Sequence, residues 1–239
     1  MSLPDARVAA LTVRLRDVSA RYAPAAFSSS LSAEDMLLTD VIYRSSVDIQ
    51  IFTIDTGRLH RETLELIDAV RRRYDREIAV YLPLESAVAE YVRVFGRNGQ
   101  FESLSARREC CRVRKVEPLG RALAGKRAWI TGLRREQSAA RGALAESEFD
   151  ETRGLLKLNP LLDWTEAEVW EYIRRYDVPC NRLYDHGYRS IGCAPCTRPV
   201  VAGEDARAGR WWWEAASAKE CGLHVAADGR LHRKAEVAA

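Results

Sequence analysis

Ala25-Ala26-Phe27-Ser28-Ser29-Ser30-Leu31-Ser32-Ala33-Glu34-Asp35 holds three successive signals: a short apolar strand to Ser29, a turn of small residues, and a helix start. The helix continues through Met36, Leu37, Val41 and Ile42 at helical spacing. The plan then repeats. Asp48-Ile49-Gln50-Ile51-Phe52-Thr53-Ile54 is β-branched and apolar, Asp55-Thr56-Gly57 is a turn, and Leu59 to Arg73 reads as a helix. Glu77 to Leu82 supplies a third strand and Glu85 to Phe95 a further helix. Ala128 to Thr131 and Leu155 to Leu158 complete a sheet of about five strands. Strands alternating with helices predict an α/β fold with a doubly wound, mostly parallel sheet. Ligands of such sheets bind beyond the carboxyl ends of the strands.

Outside this unit, Leu3, Val8, Leu11, Leu15 and Val18 describe an amphipathic N-terminal helix packed on the sheet. Asp163-Trp164-Thr165-Glu166 has the pattern of a capping box opening a helix through Val169, Trp170, Ile173 and Tyr176. From Cys180 to Arg210 the chain is rich in turns and weak in periodicity. A segment of that length needs something other than an apolar core to hold it. Residues 1–210 are expected to form one domain and 211–239 a mobile C-terminal tail.

The chain has 239 residues, 47% hydrophobic, enough for one substantial core. Its 37 Lys and Arg against 34 Asp and Glu leave a net charge of +3, which argues against general nucleic-acid binding, so any anion site must be local. No apolar run reaches the ~20 residues of a membrane span. The expectation is a soluble, cytoplasmic protein without nucleic-acid or membrane partners; self-association stays open. Six cysteines are too few for a disulfide scaffold, and in a reducing compartment their pairing points to metal or redox chemistry.

Two pairs of thiols stand out: Cys110-Cys111, followed by Arg112, Arg114 and Lys115, and Cys193-Ala194-Pro195-Cys196. Four thiolates satisfy either zinc or an iron-sulfur cluster. Adjacent cysteines are awkward around one zinc ion. At a helix start they project about 100 degrees apart and reach two corners of a wider cluster. Cys180 has no partner at ligand spacing and reads as an ordinary core or surface cysteine. Cys221 has Lys219 and His224 close by, and a cationic setting raises the nucleophilic thiolate fraction. Arg207 and Arg210, beside Trp211-Trp212-Trp213, are placed to hold an oxyanion, while the three aromatics dock the tail. Ser28, Ser29, Ser30 and Ser32 sit at a strand-to-helix turn whose free amides could cradle phosphate.

In order, Ser30-Leu31-Ser32-Ala33-Glu34-Asp35, Asp55-Thr56-Gly57-Arg58, Cys110-Cys111 with Lys115, Thr131-Gly132-Leu133-Arg134-Arg135, Ile191-Gly192-Cys193-Ala194-Pro195-Cys196 and Glu220-Cys221-Gly222-Leu223-His224 resemble the assimilatory adenylylsulfate (APS) reductases. These belong to a larger family that includes phosphoadenylylsulfate (PAPS) reductases. The resemblance runs from Ser29 to His224 and implies an adenine-nucleotide alpha-hydrolase-like fold. It implies that Cys110, Cys111, Cys193 and Cys196 bind one 4Fe-4S cluster. Cys221 is then the nucleophile that forms an S-sulfocysteine and releases AMP, and thioredoxin is the electron donor that releases sulfite. Lys115, Arg141, Arg207 and Arg210 match cations around the sulfate and phosphate, and His224 a residue beside the thiol. Ser29, Ser30 and Ser32 are expected near the phosphosulfate, Thr56 and Gly57 near the nucleoside, and Gly132 on another wall. Ser32 departs from a glycine common in the family, and Cys180 from an aromatic. The rival readings are a PAPS reductase, which usually lacks the cysteine pairs, an ATP-dependent adenylating enzyme, whose Gly-rich loop is absent, and a zinc-bearing binding module.

Overall fold

Alternation along short strands decides which way the core faces. In the computed structural model, which describes residues 3–138 and 141–214, six strands form one sheet: β1 (Ala25–Ser28), β2 (Gln50–Ile54), β3 (Ala79–Tyr81), β4 (Ala128–Ile130), β5 (Ser147–Asp150) and β6 (Leu155–Leu158). Phe27, Ile51 and Ile130 join one apolar cluster, and their chain neighbours Ala26, Phe52 and Trp129 join a second on the opposite face. Helices α1 (Leu3–Arg21), α2 (Ala33–Arg44), α3 (Arg61–Tyr74) and α7 (Glu166–Arg175) contribute to the first cluster, and α6 (Glu117–Leu123) to the second. This is the doubly wound sheet the sequence predicts.

The first layer is held by more than apolar area. α2 is buried at every position from Ala33 to Ile42. Its Asp40, fully buried, accepts hydrogen bonds from Tyr74 of α3 at 2.8 Å and Tyr172 of α7 at 2.5 Å. One carboxylate thus ties the helices on either side of α2, and its two phenol donors offset the cost of burying a charge.

The strand order β3-β2-β1-β4-β6-β5 is parallel throughout, except that β5 runs antiparallel to β6. β5 is the strand beyond the five expected. It is short, polar and largely exposed, so periodicity gave no sign of it. Its role lies in its neighbour: Lys157 of β6 is fully buried, and Glu148 of β5 takes its ammonium at 2.9 Å. An unpaired charge there would be costly.

The expected capping box is shifted by two residues. Thr165 Oγ1 accepts from the Glu168 amide at 3.2 Å while Glu168 returns to the Thr165 amide at 2.8 Å. Asp163 instead accepts from Arg135 at 2.7 Å. Two overlapping patterns fit the same rule, and the Arg135 contact takes Asp163 away. The cysteine pair also differs from expectation. Cys110 and Cys111 end α5 (Leu104–Cys111), which follows α4 (Glu85–Phe95), and the chain passes through a π-helical turn, Arg112–Val116, into α6.

From β1 the sheet grows to β2 on one side and β4 on the other. The connections leaving β1 and β4 therefore diverge, and a crevice opens at their carboxyl ends.

Candidate active site

That crevice is a cavity of about 250 Å³ lined by the ends of β1, β2 and β4. Ser28 ends β1, Ser29, Ser30 and Ser32 come from the turn after it, Thr56 from the turn after β2, and Gly132 from the connection after β4. Gly132 is required by space: a Cβ there would lie 2.1 Å from Asp35 Oδ1. The serine turn is not the open cradle of amides expected from sequence. The Ser29 amide donates to Phe52 O at 2.8 Å, the Ser30 amide to Asp35 at 2.6 Å, the Leu31 amide to Ser29 Oγ at 3.2 Å and the Ala33 amide to the Tyr184 hydroxyl at 2.9 Å. The Ser30 hydroxyl also donates to Asp35 at 2.6 Å. A left-handed Leu31, at φ 62°, is what lets these bonds close. Burial pushes the Asp35 carboxyl up to about 6, the Ser30 hydrogen bonds oppose this, and neighbouring Glu34 adds to it.

Among the described residues six cationic side chains line this cavity, Arg134 and Arg189 among them. The others are Arg141, Arg207, Arg210 and Lys115. Arg141 arrives through a relay from α2, in which Arg134 and Gln137 each donate to Glu34 at 3.0 Å and Arg141 donates to Gln137. Arg210 lies over Gly192, where a Cβ would be 2.4 Å from its guanidinium, and donates to Ile191 O at 3.2 Å.

Behind Lys115 lies a second, smaller cavity lined by Cys110, Cys111, Cys193 and Cys196. Lys115 and Cys193 border both cavities. Cys193-Ala194-Pro195-Cys196 is docked on the turn after β2: the Ala194 amide donates to Arg58 O at 2.8 Å, and Thr56 Oγ1 lies 3.2 Å from Cys193 Sγ. Gly57, with φ 69°, leaves room for Arg114, which donates to Thr56 O at 2.7 Å. Thr56 therefore faces the thiols as well as the crevice, while Gly57 packs under Arg114 and does not line the crevice. The π-turn sends Arg114 to Thr56 and Lys115 between the two cavities; such turns recur at functional sites.

Trp211 closes the thiol cavity. It is buried in one cluster with Cys193 and Cys196, and the guanidinium groups of Arg107 and Arg210 each lie 4.7 Å from its ring. Arg107, itself buried, makes a two-pronged pair with Glu214 at 2.8 and 2.9 Å. Burial would raise the Cys193 thiol, but Lys115, the Thr56 hydrogen bond, Arg210 and Arg114 together bring it below the usual thiol range. Burial pushes Cys110 up and Cys196 up to about 12. The side-chain donors Trp211 Nε1, Arg114 Nε and Gln100 Nε2 are buried without hydrogen-bond partners. Gln100 and Arg114 line this cavity beside Trp211, and the Cys110 thiol influences Tyr91 directly. Buried donors left unmade cost about 1–3 kcal/mol each, and sulfur is the acceptor chemistry on these walls. No group of three or more His, Cys, Asp or Glu side chains among the described residues is gathered closely enough for a single metal ion. The four thiols line the walls of the smaller cavity.

Cys180 packs partly buried against the main core, where burial raises its thiol to about 12, in keeping with an ordinary core cysteine. Cys221 and His224 lie outside the described residues. Sequence marks Trp211 only as a dock for the tail, and Gln100 carries no sequence signal.

A doubly wound sheet with a crevice at its switch point, flanked by four thiols, defines an α/β ligand-binding chain with a thiol-lined second cavity. Residues 24–199 match the phosphoadenosine phosphosulfate reductase domain, and the chain belongs to that family. It is 53% identical to the adenosine 5'-phosphosulfate reductase of Burkholderia cepacia over 98% of this chain and 94% of that protein. With the protein of the same name from Allochromatium vinosum it shares 54% identity, covering 93% of this chain and 87% of that one. Among solved structures, the phosphoadenylyl-sulfate reductase of Candida auris superposes with a TM-score of 0.67 at 27% identity, over 84% of this chain and 98% of that one. The FMN adenylyltransferase of Candida glabrata, at 16% identity and a TM-score of 0.56 over 82% of this chain and 64% of that one, shares the fold alone. Among the described residues no helix is long and apolar enough to cross a membrane.

Proposed function

We propose that this chain reduces adenosine 5'-phosphosulfate to sulfite and AMP, taking two electrons from thioredoxin in the cytoplasm for sulfate assimilation. The observation that carries the reading is the shared wall: Lys115 and Cys193 border both the nucleotide-sized crevice and the four-thiol cavity. The names of the relatives favour the substrate without a 3'-phosphate.

Cys110, Cys111, Cys193 and Cys196 would hold a 4Fe-4S cluster, whose fit is supported by the ring of thiols and the unpartnered Trp211 and Arg114 donors. When bound, the cluster supplies a fixed local charge and a rigid anchor for the segment around Cys193. The chain's own residues do the rest. Arg141, Arg207, Arg210 and Lys115 surround the phosphosulfate and offset the repulsion between two anions as a thiolate approaches. The Cys221 thiolate attacks the sulfate sulfur, an S–S bond forms, and the S–O bond to phosphate breaks with its electron pair leaving on AMP. His224 lies three residues on and is assigned to substrate contact. A thioredoxin thiolate then attacks Cys221 Sγ, sulfite departs with the electron pair of the S–S bond, and the second thioredoxin thiol resolves the mixed disulfide. Thioredoxin ends oxidised and Cys221 returns as thiolate.

Intact mass spectrometry after mixing with the substrate tests this. The expected result is one sulfonate adduct on Cys221 that disappears with reduced thioredoxin, and none in Cys221→Ser. A colourless, zinc-loaded protein that forms no adduct would overturn it. Faster turnover of the 3'-phosphorylated nucleotide would transfer the reading to a PAPS reductase.

A further inference from the structure

Gln100 is fully buried in a short turn, Gly99–Phe101, between α4 and α5. Gly99 lets that turn press on α4: a Cβ there would lie 2.6 Å from Phe95 Cβ. Pressed inward, Gln100 becomes part of the wall of the four-thiol cavity. Its amide has a defined orientation. Arg58 Nη1 donates to Gln100 Oε1 at 3.0 Å and to Arg97 O at 2.9 Å, while Nη2 donates to Asn98 Oδ1 at 2.7 Å. A guanidinium can only donate, so the Gln100 atom facing it must be the oxygen. The NH2 is therefore turned the other way, and it has no partner.

Apart from the cysteines, the cavity lining consists of Arg58, Arg107, Arg114, Lys115, Pro195 and Trp211. None of those side chains offers an acceptor. The thiols, and whatever they hold, are the side-chain acceptors within that wall. We propose that Gln100 donates an amide N–H to sulfur at the four-cysteine centre, to a cysteine Sγ or a bridging sulfide, and that Arg58 sets the amide's direction. The inference rests on the cluster reading above and assigns one of the outer partners that tune such a centre. Hydrogen bonds to sulfur draw electron density from the metal–sulfur bonds and are among the determinants of a cluster's potential and lifetime.

The test uses the full chain purified anaerobically with its iron and sulfide, as wild type, Gln100→Leu and Gln100→Glu. Glutamate keeps an acceptor for Arg58 and removes the donor, so it separates a sulfur donor from a structural tether. Resonance Raman bands of the Fe–S stretches are compared in H2O and D2O, and bleaching of the visible absorbance is timed in a chelator. Both variants are expected to lose part of the wild-type D2O shift, move the Fe–S stretches to higher frequency and bleach several-fold faster. Wild-type spectra and lifetimes in both variants overturn the inference alone, as does wild-type behaviour in Gln100→Glu. A wild-type protein that takes up no iron and sulfide overturns the cluster reading with it.

Discussion

The serine turn and the cysteine cavity both border Lys115, yet they satisfy their polar groups in contrasting ways. Around the turn after β1, the amides of Ser29, Ser30, Leu31 and Ala33 already have partners in Phe52, Asp35, Ser29 and Tyr184. Around the thiols, buried donors on Trp211, Arg114 and Gln100 have none. The first is a finished surface that a nucleotide can enter and leave without rebuilding it. On the cluster reading, the second would close its hydrogen bonds with its occupant, and binding there would be part of folding. The contrast is the one expected if the crevice takes a reversible substrate and the thiol cavity holds the cluster proposed above.

The largest effect is expected where the cysteine side is anchored to the chain beyond it. Arg107→Met leaves Glu214 buried without its partner, and breaking such a pair costs about 3–5 kcal/mol. Denaturant unfolding should show it, and an unchanged midpoint would mean that Arg107 does not hold Trp211 in place. On the serine side, the lever is pH. Folding raises Asp35 from 3.8 to about 6, chiefly by burial, so the folded state holds its proton more tightly. Its contribution to stability is complete below the unfolded value and is lost as pH rises through about 6. Asp35→Asn should therefore flatten the stability profile between pH 4 and 7 and exceed wild type above it, by on the order of 2 kcal/mol. A profile identical to wild type would mean that Asp35 is not the titrating group. At the boundary, the added methyl of Gly192→Ala meets the Arg210 guanidinium first, at 2.4 Å. Stability should change by under about 1 kcal/mol, while nucleotide affinity drops about tenfold as the guanidinium is pushed aside. Isothermal titration with AMP and the substrate separates the two effects.

What sequence could reveal follows from the range of the forces involved. Strands β1, β2, β3, β4 and β6 are apolar over their own few residues, and α4 is bounded by Glu85 and Phe95 as expected. Local pattern suffices there. β5 has no such pattern, because it is defined by pairing with β6 and by the Glu148–Lys157 contact. Asp163 and Thr165 both fit a capping rule, and only Arg135, distant in sequence, decides between them. The cysteine spacing pointed to the thiol ring, but Cys110 and Cys111 end a helix and enter a π-turn, a geometry that composition does not encode. Thr56 was expected beside the nucleoside, and its contact with Cys193 needed the docking of a segment 137 residues away. The same holds for Gln100, whose direction is set by Arg58.

Lys115 joins the two regions, and replacing it tests the account most directly. In Lys115→Ala, the rate of Cys221 sulfonation by adenosine 5'-phosphosulfate is measured alongside iron and sulfide content. The account predicts sulfonation slowed at least tenfold with the iron and sulfide largely retained, because Lys115 acts on the substrate across the shared wall. Equal loss of both would contradict it, reducing Lys115 to a support of the cysteine cavity.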